Sequence, residues 1–205
     1  MKEVDFVMRD EDCVYLTQSS LIRNLSKKQF KVLGDISLKL NKLRNCAVEV
    51  TSLIKASEGI HNKKINYKAI ISDVKNKFND TYVGIQAHIA NAAIKKYVDS
   101  FNGFVALMNK IFDQEYDWQV NSPQIHDDDC YHNLIIPKES ITSSKKKLAE
   151  GYIELPLSRE YKKELESADE RPWIKIPENI LDKKIIQVEI IPINNGEMFM
   201  SKFYL

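Results

Sequence analysis

The chain has little glycine, little proline and few cysteines. Six glycines in 205 residues, none in a Gly-Xaa-Gly cluster, exclude the glycine-rich loops that cradle nucleotide phosphates. The three cysteines, Cys13, Cys46 and Cys130, are odd in number and far apart. That argues against a disulfide framework and fits a reducing cytoplasm. No run of 18 apolar residues exists, so no membrane span is expected. The first twelve residues carry acids and no apolar stretch, unlike a secretory signal. Serine, cysteine and histidine form no nucleophile signature, and no cofactor is expected.

What the chain does have is charge, unevenly distributed. The net charge of +1 averages over four different pieces. Residues 1–22 hold 2 cations against 5 acids, and residues 23–110 hold 16 against 6. Residues 111–135 hold none against 6, and residues 136–205 are balanced at 12 and 12. A concentrated basic segment is the footprint of a phosphate-binding surface. It is equally the composition of a solvated helical face.

Periodicity divides the chain the same way. Val4, Phe6 and Met8, and then Cys13 to Ile22, read as strands. Ser26 and Gln29 form a capping box, and Val32, Leu33, Ile36, Leu40, Leu43, Ala47, Val50 and Ile54 recur at helical spacing behind it. Gly34 weakens this helix by about 1 kcal/mol, and Gly59 is its expected stop. Asn66 caps a second helix whose predicted buried face is Tyr67, Ile70, Ile71, Val74 and Phe78. A third runs from about Ile85 to Phe112, with Ile94, Val98, Phe101, Val105, Met108 and Phe112 along one side. Residues 113–130, with Pro123 and three aspartates, read as an acidic linker. Beyond it the period becomes two: Tyr131 to Ile136, Lys147 to Leu155, Trp173 to Ile176, Ile185 to Pro192 and Met198 to Leu205 are predicted strands. Ser158 caps a short helix among them, and Asn195-Gly196 is a turn between the last two. The class is α+β, with residues 1–24 and 131–205 in one β-rich unit and residues 25–112 as a helical insertion.

Several of these stretches resemble TnpB, the transposon-encoded RNA-guided endonuclease family. Leu25 to Phe30 with Leu40 to Val48 is similar to the family's first helix, with its Asn-Xaa-Ala near the middle. Ala87 to Leu107 is similar to its third. Tyr131 to Ile141 and Leu155 to Tyr161 resemble its central strands, and the closing strand pair resembles the one leading into its RuvC-like nuclease. The resemblance implies an OB-like β-barrel (wedge) domain with an inserted three-helix recognition domain. It also implies binding of a transposon-derived guide RNA and of duplex DNA beside the target, with base pairing reading the sequence and protein reading shape. The nuclease carboxylates and zinc-ribbon cysteines have no counterpart in these 205 residues. On this resemblance the chain is a nucleic-acid-binding half that does not cut, a nuclease half being encoded separately or lost from a transposon remnant.

Carried over residue by residue, the family's duplex-reading positions fall on Ala87 and Asn91; an Asn amide can pair with an adenine edge, an alanine cannot. Lys42 and Arg44 on the first helix and Lys95 and Lys96 on the third are the expected phosphate contacts. The acids Asp127, Asp128 and Asp129 depart from the family, whose corresponding loop is basic. With His126, Cys130 and His132 they form one local run of metal-capable groups, but without the paired spacing of a zinc site, so no metal is expected. The alternative from a different class is a helical protein-interaction module with no nucleic-acid role, anchored by Phe101, Phe104, Met108 and Phe112. Salt separates the two, because phosphate binding weakens steeply as salt rises and hydrophobic docking does not.

Overall fold

A computed structural model describes residues 6–10, 13–23, 25–58, 63–113, 119–141, 145–167 and 170–205. Strands β1 (Phe6–Asp10) and β2 (Cys13–Leu21) open the chain, and helix α1 (Lys27–Glu58) follows. Its capping box forms as the sequence predicts: Gln29 N donates to Ser26 Oγ at 3.2 Å, and Ser26 N donates to Gln29 Oε1 at 3.0 Å. The predicted stop at Gly59 lies outside the described residues.

Helix α2 (Tyr67–Lys77) is capped by Asn66, whose Oδ1 accepts from Lys68 N at 2.9 Å. A short helix α3 (Asn79–Val83), not anticipated, precedes α4 (Ala87–Phe112). Gln86 caps α4 by accepting from Ile89 N. Beyond residues 119–133, β3 (Leu134–Pro137), α5 (Lys145–Ala149), β4 (Tyr152–Glu154), α6 (Arg159–Glu164), β5 (Trp173–Lys175), β6 (Gln187–Ile193) and β7 (Met198–Tyr204) complete the order. Lys147 falls in α5, so the strand predicted from Lys147 is confined to β4.

Five strands pair antiparallel in the order β1-β2-β7-β6-β3, and β4 and β5 form a separate two-stranded sheet. The N-terminal strands thus join the C-terminal hairpin, Ser20 facing Ser201. Among the described residues the large sheet is not closed into a barrel: β1 and β3 are its two edges, and α4 packs along β3. The sequence expectation of α+β holds; its barrel does not form here.

One core runs through helices and sheet. Leu33, Leu40, Leu43, Ile94 and Phe101 are buried with Leu134, Ile136, Val188, Ile190 and Phe203, and the Phe30 ring meets Phe199 edge-on at 5.3 Å. The hairpin turn uses Asn194, Asn195 and Gly196, all at positive φ, which side chains other than Asn and Gly rarely adopt. The Tyr131 ring sits against Gly196 so closely that a Cβ there would lie 2.5 Å from Cζ.

Candidate nucleic-acid interface

The middle of α1 carries Ser37, Asn41, Arg44 and Asn45 at helical spacing, on one face. The expectation for Arg44 was a phosphate contact. Instead it is buried, at 7% exposure, and Nη1 donates to the backbone carbonyl of Gln124 at 2.8 Å. Its guanidinium also stacks 5.8 Å from the centre of the Tyr97 ring. Asn41 Nδ2 donates to Asp127 O at 2.7 Å, Asn45 Nδ2 to His126 O at 2.8 Å and Ser37 Oγ to His132 O at 2.6 Å. This polar stripe pairs the backbone carbonyls of an irregular segment with side-chain donors and fixes it on the helix. The acidic stretch is therefore not a free linker over residues 119–130; it is clamped on α1. Lys42 remains exposed, beside a face that the loop covers.

Asn91 departs from its expected role as well. Its Oδ1 accepts from Tyr82 Oη at 2.7 Å, so the amide oxygen needed for a two-bond adenine contact is already taken. Lys96 points at the sheet: Nζ lies 2.5 Å from Glu189 Oε1. Asn133 Nδ2 donates to the same oxygen at 2.8 Å, and Tyr204 Oη donates to Oε2 at 2.9 Å. Burial opposes ionisation of Glu189, but the bonds from Lys96, Asn133 and Tyr204 outweigh it and hold the carboxyl below its ordinary range. The same arrangement, burial first and then Glu189, pushes the Tyr204 hydroxyl up to about 12.

Lys95, one residue earlier, faces solvent, and its Nζ lies 5.9 Å from the centre of the Tyr67 ring. Tyr67 was expected in the core; it is 38% exposed instead. Ile70 and Val74 form the buried side of α2, which leaves Lys68 and Lys75 two turns apart on its open side. The Asn102 side chain fixes the start of this helix, accepting from Ile65 N and donating to Ile65 O. Among the described residues, Lys63, Lys64, Lys68, Lys75, Lys77 and Lys95 are exposed and form no ion pair. Elsewhere in the basic segment Lys28 pairs with Glu166 and Glu170, Lys39 with Glu164 and Lys96 with Glu189, while Arg23, Lys27, Lys31 and Lys42 are exposed and outside the ion pairs of the described residues. The α2 side of the helices therefore carries one group of unpaired cations, with the exposed Tyr67 ring among them.

Of the five expected contact residues, the structure leaves Lys42 and Lys95 open to solvent and engages Arg44, Asn91 and Lys96 internally. Lys68, Lys75 and Tyr67, exposed on the same side as Lys95, were not among the expected contacts. Their signal was the spacing 68 and 75 opposite the apolar pair 70 and 74. Phe101, the centre of the alternative apolar anchor, is core at 1% exposure, and only Phe112 of those four is exposed. Side-chain donor atoms of Asp127, Asp129 and Cys130 lie within 4.8 Å of one another, with both carboxylates exposed.

No protein-family model and no curated protein matches the chain.

Proposed function

We propose that the chain is a nucleic-acid-binding module of TnpB type, gripping a guide RNA and adjacent duplex DNA by their phosphates. The observation that carries this reading is the open side of α2 and α4. Lys68, Lys75 and Lys95 stand there without counter-ions, and Tyr67 lies beneath Lys95. Lysines of this kind release condensed counter-ions on binding, and an exposed ring offers a stacking surface. The clamped acidic loop covers the α1 face that carries Asn41, Arg44 and Asn45. Cleavage of the bound strand belongs, on this reading, to a separately encoded nuclease half.

The test is the salt dependence of binding to a labelled single-stranded RNA, read by fluorescence anisotropy. Each phosphate contact on a single strand contributes a slope of about 0.7 in log K against log salt. The triple variant Lys68→Ala, Lys75→Ala, Lys95→Ala is expected to lose about 2 from that slope. RNA binding that ignores salt and survives the triple change would remove the proposal, and no RNA binding at low salt would leave the protein-interaction alternative.

A further inference from the structure

The large sheet and the β4–β5 pair do not pack flush. Between them lies a cleft of about 730 Å³, within the size range of small-molecule and cofactor sites. Strand register explains one wall. Ile153 pairs with Ile174 and both are buried in the core, so the alternate residues Tyr152, Glu154, Trp173 and Lys175 share the other face. Tyr152, Trp173 and Lys175 line the cleft, and Glu154 pairs with Arg171 instead. The opposite wall comes from the end of β2 and from β7, where Ser20 Oγ and Ser201 Oγ are 3.2 Å apart. Arg23 stands exposed at the rim.

The chemistry of this lining is specific. Two aromatic rings on one strand-pair face make a platform for a planar group. Two cations, Arg23 and Lys175, flank it. Asn179 supplies an amide held in place, its Nδ2 donating to Gln18 Oε1 at 2.9 Å. The single lining carboxylate, Glu178, is exposed and only 3.5 Å from Lys175 Nζ, a loose surface pair of small net worth. Lys147 lies 5.5 Å from the centre of the Trp173 ring without lining the cleft, so that ring already rests against a cation. Rings, cations and an amide together match a base with its phosphate.

We propose that the cleft between the two sheets is a separate binding site for an unpaired nucleotide of single-stranded RNA, its base on Trp173 and Tyr152 and its phosphate at Arg23 and Lys175. This goes beyond phosphate gripping by α2 and α4 and shares with it only the class of ligand.

The experiment uses the full chain carrying Trp118→Phe, in which Trp173 is the sole indole. A single-stranded uridine 12-mer is expected to quench Trp173 emission, and inorganic polyphosphate is expected to leave it unchanged. Adding Arg23→Ala and Lys175→Ala, both exposed positions, is expected to weaken binding of the 12-mer about tenfold. If Trp118→Phe does not fold, Trp173→Phe in the otherwise natural chain gives the same reading as a loss of the quench. The proposal is overturned if the 12-mer binds with no change in Trp173 emission, if polyphosphate quenches equally, or if neither binds at low salt. Repeating the titration in the Lys68, Lys75, Lys95 triple variant separates the two sites. A quench that persists while the salt slope falls supports both, and a slope that falls with no quench in the parent leaves only α2 and α4.

Discussion

Lys96 Nζ lies 2.5 Å from Glu189 Oε1, and this contact ties the third long helix to β6 of the large sheet. Glu189 is 6% exposed, so removing its cationic partner leaves a carboxylate with two neutral donors. Lys96→Met is expected to lower stability by about 1–3 kcal/mol, measured by urea unfolding at neutral pH. Because Lys96 is already occupied, the same variant should leave the salt slope of RNA binding unchanged.

The acid sensitivity of this network has a definite sign. The folded pKa of Glu189 lies below its ordinary value, so its contribution is present above the ordinary glutamate range and lost as pH falls through the folded value. Lys96→Met removes the strongest support for the anion, and acid unfolding should move to higher pH. A variant whose acid midpoint stays in place would show that Asn133 and Tyr204 alone hold the carboxylate ionised.

His132 acts in a different window. Burial, followed by the charges of Arg44 and Lys96, lowers its pKa to about 4, against a weaker opposing pull from Glu189. An unfolded histidine titrates near 6.5. Stability is therefore unaffected above about 6.5 and declines as pH falls from there towards 4, because the unfolded chain takes up the proton first. The full difference is roughly 3 kcal/mol. His132→Gln should flatten the decline between pH 6.5 and 4, seen in urea midpoints at several pH values.

Arg44 distinguishes a structural clamp from a nucleic-acid contact. Arg44→Ala loses a charged hydrogen bond to Gln124 O and the stack on Tyr97, an expected cost of about 2 kcal/mol. Proteolysis within residues 119–130 should accelerate in the variant. RNA affinity per folded molecule should not change; a reduced salt slope would return Arg44 to the interface.

Gly196 is the position with least tolerance. Its φ is +83°, and a Cβ would press into the Tyr131 ring. The backbone cost of about 1–2 kcal/mol adds to overpacking of about 1–3 kcal/mol. Gly196→Ala should thus lower the thermal midpoint markedly, and Gly196→Ala with Tyr131→Leu should recover the part due to the ring.

The local elements were readable from neighbouring residues. The Ser26–Gln29 box, the caps at Asn66 and Ser158, the apolar stripe from Val32 to Val50 and the Asn195-Gly196 turn were all legible, because each depends on bonds or spacing within a few residues. Tertiary structure alone decided what the polar residues face. Asn41, Arg44 and Asn45 look the same in sequence whether they meet a phosphate or a carbonyl; only the loop folded back from residues 119–132 shows that they meet carbonyls. Lys95 and Lys96 are chemically alike and adjacent, yet the 100° step of the helix turns one to solvent and the other to Glu189, about ninety positions away. The cleft beside Trp173 was likewise invisible in sequence, because its walls come from strands that are distant in the chain and meet only when the core they share is buried.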